Sequence, residues 1–102
     1  MKILALEKNI GARDARFEPH LKAEAQRVWE LVQDGTLREI YFRTDVTEAV
    51  LMLECPDLAA AQAALNSLPL VREGLIAFEL LPLKPYPGFA RLFAENAATL
   101  KN

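Results

Sequence analysis

The spacing of apolar residues changes period several times along this chain, and each change marks an element. Lys2 to Lys8 (KILALEK) carries apolar residues on both parities and runs into the polar turn Asn9 to Asp14, which contains Gly11. That is the pattern of a strand covered on both faces. From Phe17 the period lengthens. Pro19 suits a first helical position, and Leu21, Ala25, Val28, Trp29 and Val32 recur on one helical face, with Lys22, Gln26, Arg27, Glu30 and Gln33 on the others. The stripe assigns Trp29 to packing, and Asp34-Gly35 supplies the left-handed stop.

Two runs of β character follow, Thr36 to Arg43 (TLREIYFR) and Glu48 to Cys55 (EAVLMLEC). The loop Thr44 to Thr47 is short enough for a hairpin, so they are expected to pair antiparallel. Pro56 breaks the second run, and Asp57 is placed to cap a helix whose Leu58, Ala61, Leu65 and Leu68 lie on one side. After the corner Leu68-Pro69-Leu70 and Gly74, Leu75 to Leu83 (LIAFELLPL) reads as a fourth strand. Pro82 within it argues for a sheet edge or the strand's end. In the tail from Pro87 to Asn102, Phe89, Leu92 and Phe93 sit at i, i+3 and i+4 and predict a short amphipathic helix.

The order β-α-β-β-α-β is the split βαβ, ferredoxin-like α+β arrangement: a four-stranded antiparallel sheet with both helices on one face. Residues 1–102 are expected to form a single domain, with the tail 87–102 docking on a partner. Strand parity separates the two sheet faces. Ile40 and Phe42, with Ile76, Phe78 and Leu80, make fully apolar sets that belong under the helices. The opposite sets, Glu39, Tyr41 and Arg43 with Leu75, Ala77, Glu79 and Leu81, extended to Val50, Met52 and Glu54, mix large apolar groups with a few charges. A face of that kind is too apolar to be left in water, and it predicts a homodimer in which two sheets meet.

Composition excludes several classes of partner. With 52% hydrophobic and 25% charged residues the chain is a folded globular domain rather than a disordered one. Twelve basic against fourteen acidic residues leave a formal charge of −2, with no basic stripe for nucleic acid. The single Cys55 makes no internal disulfide, and the apolar run Ile3 to Leu6 is too short for a signal peptide or a membrane span. The expectation is a cytoplasmic protein. One His and one Cys far apart make no structural zinc site, the four glycines form no phosphate loop, and no metal or cofactor is implied. Cys55, at a strand end, reads as a small buried hydrophobe.

The segment Asp34 to Leu70, with DGTLRE, a hydrophobic strand and PDLAAAQAALNSLPL, resembles muconolactone isomerase and its relatives in the dimeric α/β-barrel superfamily. Gly35-Thr36, Arg38, the helix opening at Asp57 and Leu68-Pro69-Leu70 carry the likeness. A second likeness is to YciI-like proteins, where a His near the start of the first helix matches His20 in PHLKAE and a strand ends in a Lys-Pro-aromatic motif, here Lys84-Pro85-Tyr86. The resemblance implies the ferredoxin-like fold, self-association and cofactor-independent acid–base chemistry.

Residue chemistry supplies the candidates. His20, the only histidine, falls in the first turn of a helix, where the positive end of the dipole favours neutral imidazole. It is either an exposed first-turn residue or a base, the role the YciI-like match implies. Tyr41 offers a proton donor, and Arg38 and Arg43 offer a clamp for a carboxylate-bearing substrate, unless they make interface contacts. Glu7, Glu54 and Glu79 either gather on adjacent strands or pair singly with basic residues. Two functions follow: a small-molecule enzyme transferring a proton on a carboxylated metabolite in the muconolactone isomerase manner, or a non-catalytic dimer that binds a small ligand or serves as an accessory subunit.

Overall fold

The computed structural model describes residues 1–11 and 13–93. Its elements follow in the order β1 (Lys2–Asn9), a 3-10 turn (Glu18–His20), α1 (Leu21–Gln33), β2 (Leu37–Phe42), β3 (Ala49–Glu54), α2 (Leu58–Asn66), α3 (Pro69–Arg72), β4 (Ile76–Leu83) and a second 3-10 turn (Gly88–Phe93). The four strands form one antiparallel sheet in the order β2-β3-β1-β4. This is the expected ferredoxin-like α+β topology.

Local chemistry accounts for the boundaries. Gly35 ends α1 at φ +84°, and Gly74 turns the chain into β4 at φ +73°, both in the left-handed region that glycine adopts without strain. The Asp57 carboxylate accepts the Ala60 amide at 2.8 Å and opens α2. The Leu68-Pro69-Leu70 corner is itself the start of a helix: Pro69 occupies its first turn, where the missing amide costs nothing, and a one-turn helix runs to Arg72. The sequence pattern alone does not separate this turn from a loop. Among the described residues β4 is an edge strand that pairs only with β1, which leaves Pro82 without a neighbour on its far side.

Register fixes the two faces. Ile3 and Ala5 of β1, Leu37 of β2 and Leu51 and Leu53 of β3 are buried against Leu31 of α1, Ala61 and Leu65 of α2, and Leu68. Cys55 joins this core, and burial pushes its thiol up from the ordinary range. Phe17, Leu70, Leu75 and Ile76 make a smaller cluster beside it. On the other face the partners Leu4 and Met52, Leu6 and Val50, and Leu4 and Leu81 stand half-buried to exposed. Among the described residues β1 is therefore covered on its helix side only, and they do not supply the second cover expected from its two apolar parities. In the exit after β4, Tyr86 and Phe89 meet edge to face at 5.0 Å, and Phe89, Leu92 and Phe93 are exposed. The expected C-terminal helix is a 3-10 turn as far as Phe93, and the rest of the tail lies outside the described residues.

Candidate functional site

The helix layer does not cover the whole inner sheet face. Ile40 and Phe42 point to the helix side by register, yet Ile40 is 42% and Phe42 63% exposed. Between them and α1 lies a cavity of about 500 Å³, walled by Leu21, Val28, Trp29 and Val32 from the helix and by Leu51, Ile76 and Phe78 from the sheet. That size suits a small metabolite. Trp29 is 56% exposed and lines the opening, so its place on the apolar stripe does not bury it in the core. Leu31 of the same helix is 2% exposed, so α1 turns one part of its apolar stripe into the core and leaves Trp29 at the cleft.

Among the described residues three ionisable side chains line this apolar cleft: Glu7, Arg13 and Glu24. Glu7 shares the inner parity of Ile3 and Ala5, and only 5% of it is exposed. Its Oε1 accepts the Ala49 amide at 3.0 Å, and Arg13 Nη2 donates to its Oε2 at 3.2 Å. The Arg13 guanidinium is fixed further by Nε donating to the Thr47 carbonyl at 3.2 Å and by the Phe17 ring 5.0 Å below it. Glu24 stands on α1 one turn before Val28 and accepts the Leu70 amide on Oε1 at 2.9 Å. Burial pushes its carboxyl up from the ordinary range. The Leu70 hydrogen bond offsets part of that rise, and the charge of Glu7 adds to it. The cleft thus holds a half-buried carboxyl held more readily protonated than usual, beside a fixed ion pair, with little other polarity.

The sequence pattern does not single out Glu7 and Glu24 as a pair, although it carries a signal for each. Both interrupt an otherwise apolar face: Glu7 follows Ile3 and Ala5 in parity, and Glu24 lies between Leu21 and Val28 on the helical stripe. Glu7, Glu54 and Glu79 do not gather. Glu54 binds the N-terminal amine at 2.8 Å and Glu79 binds Lys8 at 3.3 Å, both away from the inner face that Glu7 occupies.

The four residues proposed from sequence lie in separate places. His20 sits half-buried at the junction of the 3-10 turn and α1, outside the lining of the cleft, and its charge acts on Glu24 only as a minor pull downward. Arg38 Nε donates to the Gly35 carbonyl at 2.6 Å in an exposed turn. Tyr41 is on the outer sheet face, where its hydroxyl donates to Glu39 Oε1 at 2.9 Å, and that hydrogen bond pushes the hydroxyl's pKa up. Arg43 lies beyond β2 between Asp45, at 2.9 Å, and Glu48, at 3.4 Å. Among the described residues no group of three or more His, Cys, Asp or Glu could hold a metal, and no helix is long and apolar enough to cross a membrane.

No protein-family model matches this chain, and no curated protein matches it in sequence. Solved structures do match in fold. Muconolactone isomerase superposes with a TM-score of 0.69 at 18% identity, over 85% of this chain and 92% of that one. The 5-chloro-2-hydroxyhydroquinone dehydrochlorinase of Burkholderia phenoliruptrix AC1100, in complex with 2,5-dihydroxybenzoquinone, superposes with a TM-score of 0.60 at 16% identity, over 82% of this chain and 94% of that one. The fold expected from the muconolactone isomerase resemblance is the fold the chain has.

Proposed function

We propose that this chain is a cofactor-independent enzyme that moves a proton on a small cyclic metabolite bound between α1 and the sheet, with Glu24 as the acid–base group. The observation that carries the reading is a half-buried carboxyl, raised in pKa by burial, in an apolar cleft of metabolite size. A carboxyl tuned upward from the ordinary range exchanges protons more effectively near neutral pH. The carboxylate takes a proton from an acidic C–H or O–H of the ligand, and the resulting carboxylic acid returns it to another atom of the same ligand. The step consumes nothing. The similar folds support the reading, since one belongs to an isomerase of a lactone and the other to an enzyme in complex with a quinone.

Arg38 and Arg43 are engaged elsewhere and do not line the cleft, so neither is its carboxylate clamp. Arg13 is engaged by Glu7, and a carboxylated metabolite in this cleft would have to compete with Glu7 for it. His20 lies outside the lining of the cleft, so it is not given the role of base. The outer sheet face, with Tyr41, is assigned to a second copy of the chain.

The test is a panel of lactones, hydroxy acids and quinones assayed for binding and for turnover. Glu24→Gln is expected to keep binding and to lower turnover by roughly 10²- to 10⁴-fold, while His20→Ala leaves turnover nearly unchanged. Turnover that survives Glu24→Gln overturns the assignment. Tight binding with no turnover across the panel returns the chain to the ligand-binding alternative.

A further inference from the structure

The inner sheet face carries one transverse row that decides what the cleft accepts. Phe42 of β2 pairs with Ala49 of β3, and Glu7 of β1 pairs with Phe78 of β4. The β1–β3 register, which pairs Leu6 with Val50, brings Glu7 beside Ala49, whose amide it accepts at 3.0 Å. The row therefore reads Phe42, Ala49, Glu7, Phe78. Alanine has almost no side chain, so the row has a hollow between Phe42 and the Glu7 carboxylate. Strands one apart in a sheet lie about 4.8 Å from each other, which puts Phe42 and Glu7 about 9.6 Å apart at the backbone. That gap is wide enough for one six-membered ring. Trp29 on α1, more than half exposed, lines the same cleft from the helix side.

Resting on the reading of the cleft given above, we propose that Trp29 and Phe42 are its specificity-determining residues, selecting a flat, uncharged ring that lies in the Ala49 hollow with a hydroxyl or carbonyl substituent toward Glu7 and Glu24. Two large aromatics from opposite walls, both exposed where their layers leave them uncovered, offer faces on which a planar ring stacks. Charge points the same way. Two carboxyls and one guanidinium line the cleft, so an anion meets at best a neutral site and at worst a negative one. A hydroxyl has carboxylate acceptors there, and a carbonyl has a donor whenever Glu24 holds a proton. A puckered saturated ring of equal size fills the volume without stacking on both faces.

The experiment compares hydroquinone with its saturated counterpart 1,4-cyclohexanediol, and phenol with benzoate, by calorimetric titration and by NMR of the single tryptophan indole N–H. Hydroquinone is expected to bind more tightly than the diol by roughly five- to tenfold, a margin typical of aromatic stacking beyond area burial. It should also shift the Trp29 indole signal strongly. Trp29→Ala and Phe42→Ala are expected to weaken hydroquinone binding by more than diol binding and so to remove that preference, and phenol should be preferred over benzoate. Ala49→Leu, which fills the hollow, is expected to abolish binding of the aromatic probes in a chain whose circular dichroism is unaltered. Equal affinity for hydroquinone and the diol overturns the proposal, as does a preference that survives Trp29→Ala. Both readouts are of binding, so they fail or hold independently of turnover in Glu24→Gln.

Discussion

Glu24 Oε1 accepts the Leu70 amide at 2.9 Å, and this hydrogen bond between residues 46 apart joins α1 to the first turn of α3. It satisfies a helix N-terminal amide with an acidic side chain and holds that side chain at the cleft. Structure and chemistry therefore make opposite demands on one group: the amide favours the charged form, while burial, the larger effect, disfavours it.

Stability should depend on pH through that group in a definite direction. The folded pKa of Glu24 is raised above its unfolded value, so its favourable contribution is full below the ordinary carboxyl range and is lost as pH rises through the raised value. Glu24→Gln keeps an oxygen for the Leu70 amide and removes the titration. Urea denaturation is expected to find the variant at least as stable as wild type at pH 7, with the difference vanishing below about pH 4. A difference that does not change with pH would remove the linkage.

The Glu7–Arg13 pair should behave as a buried pair with one open end. The Glu7 side chain is 2% exposed and that of Arg13 32%. Arg13→Met strands a carboxylate in an apolar wall and is expected to cost about 3 kcal/mol. Glu7→Gln keeps an acceptor for the Ala49 amide, so adding it to Arg13→Met should recover part of that loss. A double-mutant cycle by chemical denaturation checks this, and strictly additive losses would mean that the pair is not coupled.

The fold was legible because its signals are local. Asp57 before an Ala-rich run, Gly35 after a striped helix, and alternation in IYF and IAFEL each act within a few residues, and parity within the strands divided the sheet faces. The cleft was not legible, because it arises where two layers fail to overlap. Phe42 and Trp29 each follow a core pattern, and only the tertiary placement of α1 against the sheet leaves them open on one cleft. An uninterrupted helical stripe would carry an apolar side chain where this chain has Glu24. The physical reason for the carboxylate became visible only with Leu70, a partner 46 residues away.

Removing the α2 cap should show how much one local signal stabilises. Asp57 Oδ1 accepts the Ala60 amide at 2.8 Å and has the extended backbone of an N-cap. Asp57→Ala is expected to cost about 1 kcal/mol, or roughly 4 to 8 °C in Tm for a domain of this size. Asp57→Ser should restore most of it. Equal melting of all three would show that α2 is held by its packing alone.

The outer sheet face is expected to pair with a second copy of the chain. Leu4, Leu6, Val50 and Met52 are only partly buried on the two central strands, flanked by Tyr41 and Leu81, which are more exposed. In a sheet's centre such residues need cover, and a second sheet packed at about 10 Å provides it. A stable pairing needs about 800 Å² from each chain. Sedimentation at micromolar concentration is therefore expected to give a mass of at least two chains. Leu4→Glu places a charge between Met52 and Leu81, its neighbours in register, and should shift the mass toward one chain. Trp29→Ala, on the other face, should leave the mass unchanged. A wild-type monomer would mean that the outer face stays in water, and a Leu4→Glu oligomer would mean that association uses another surface.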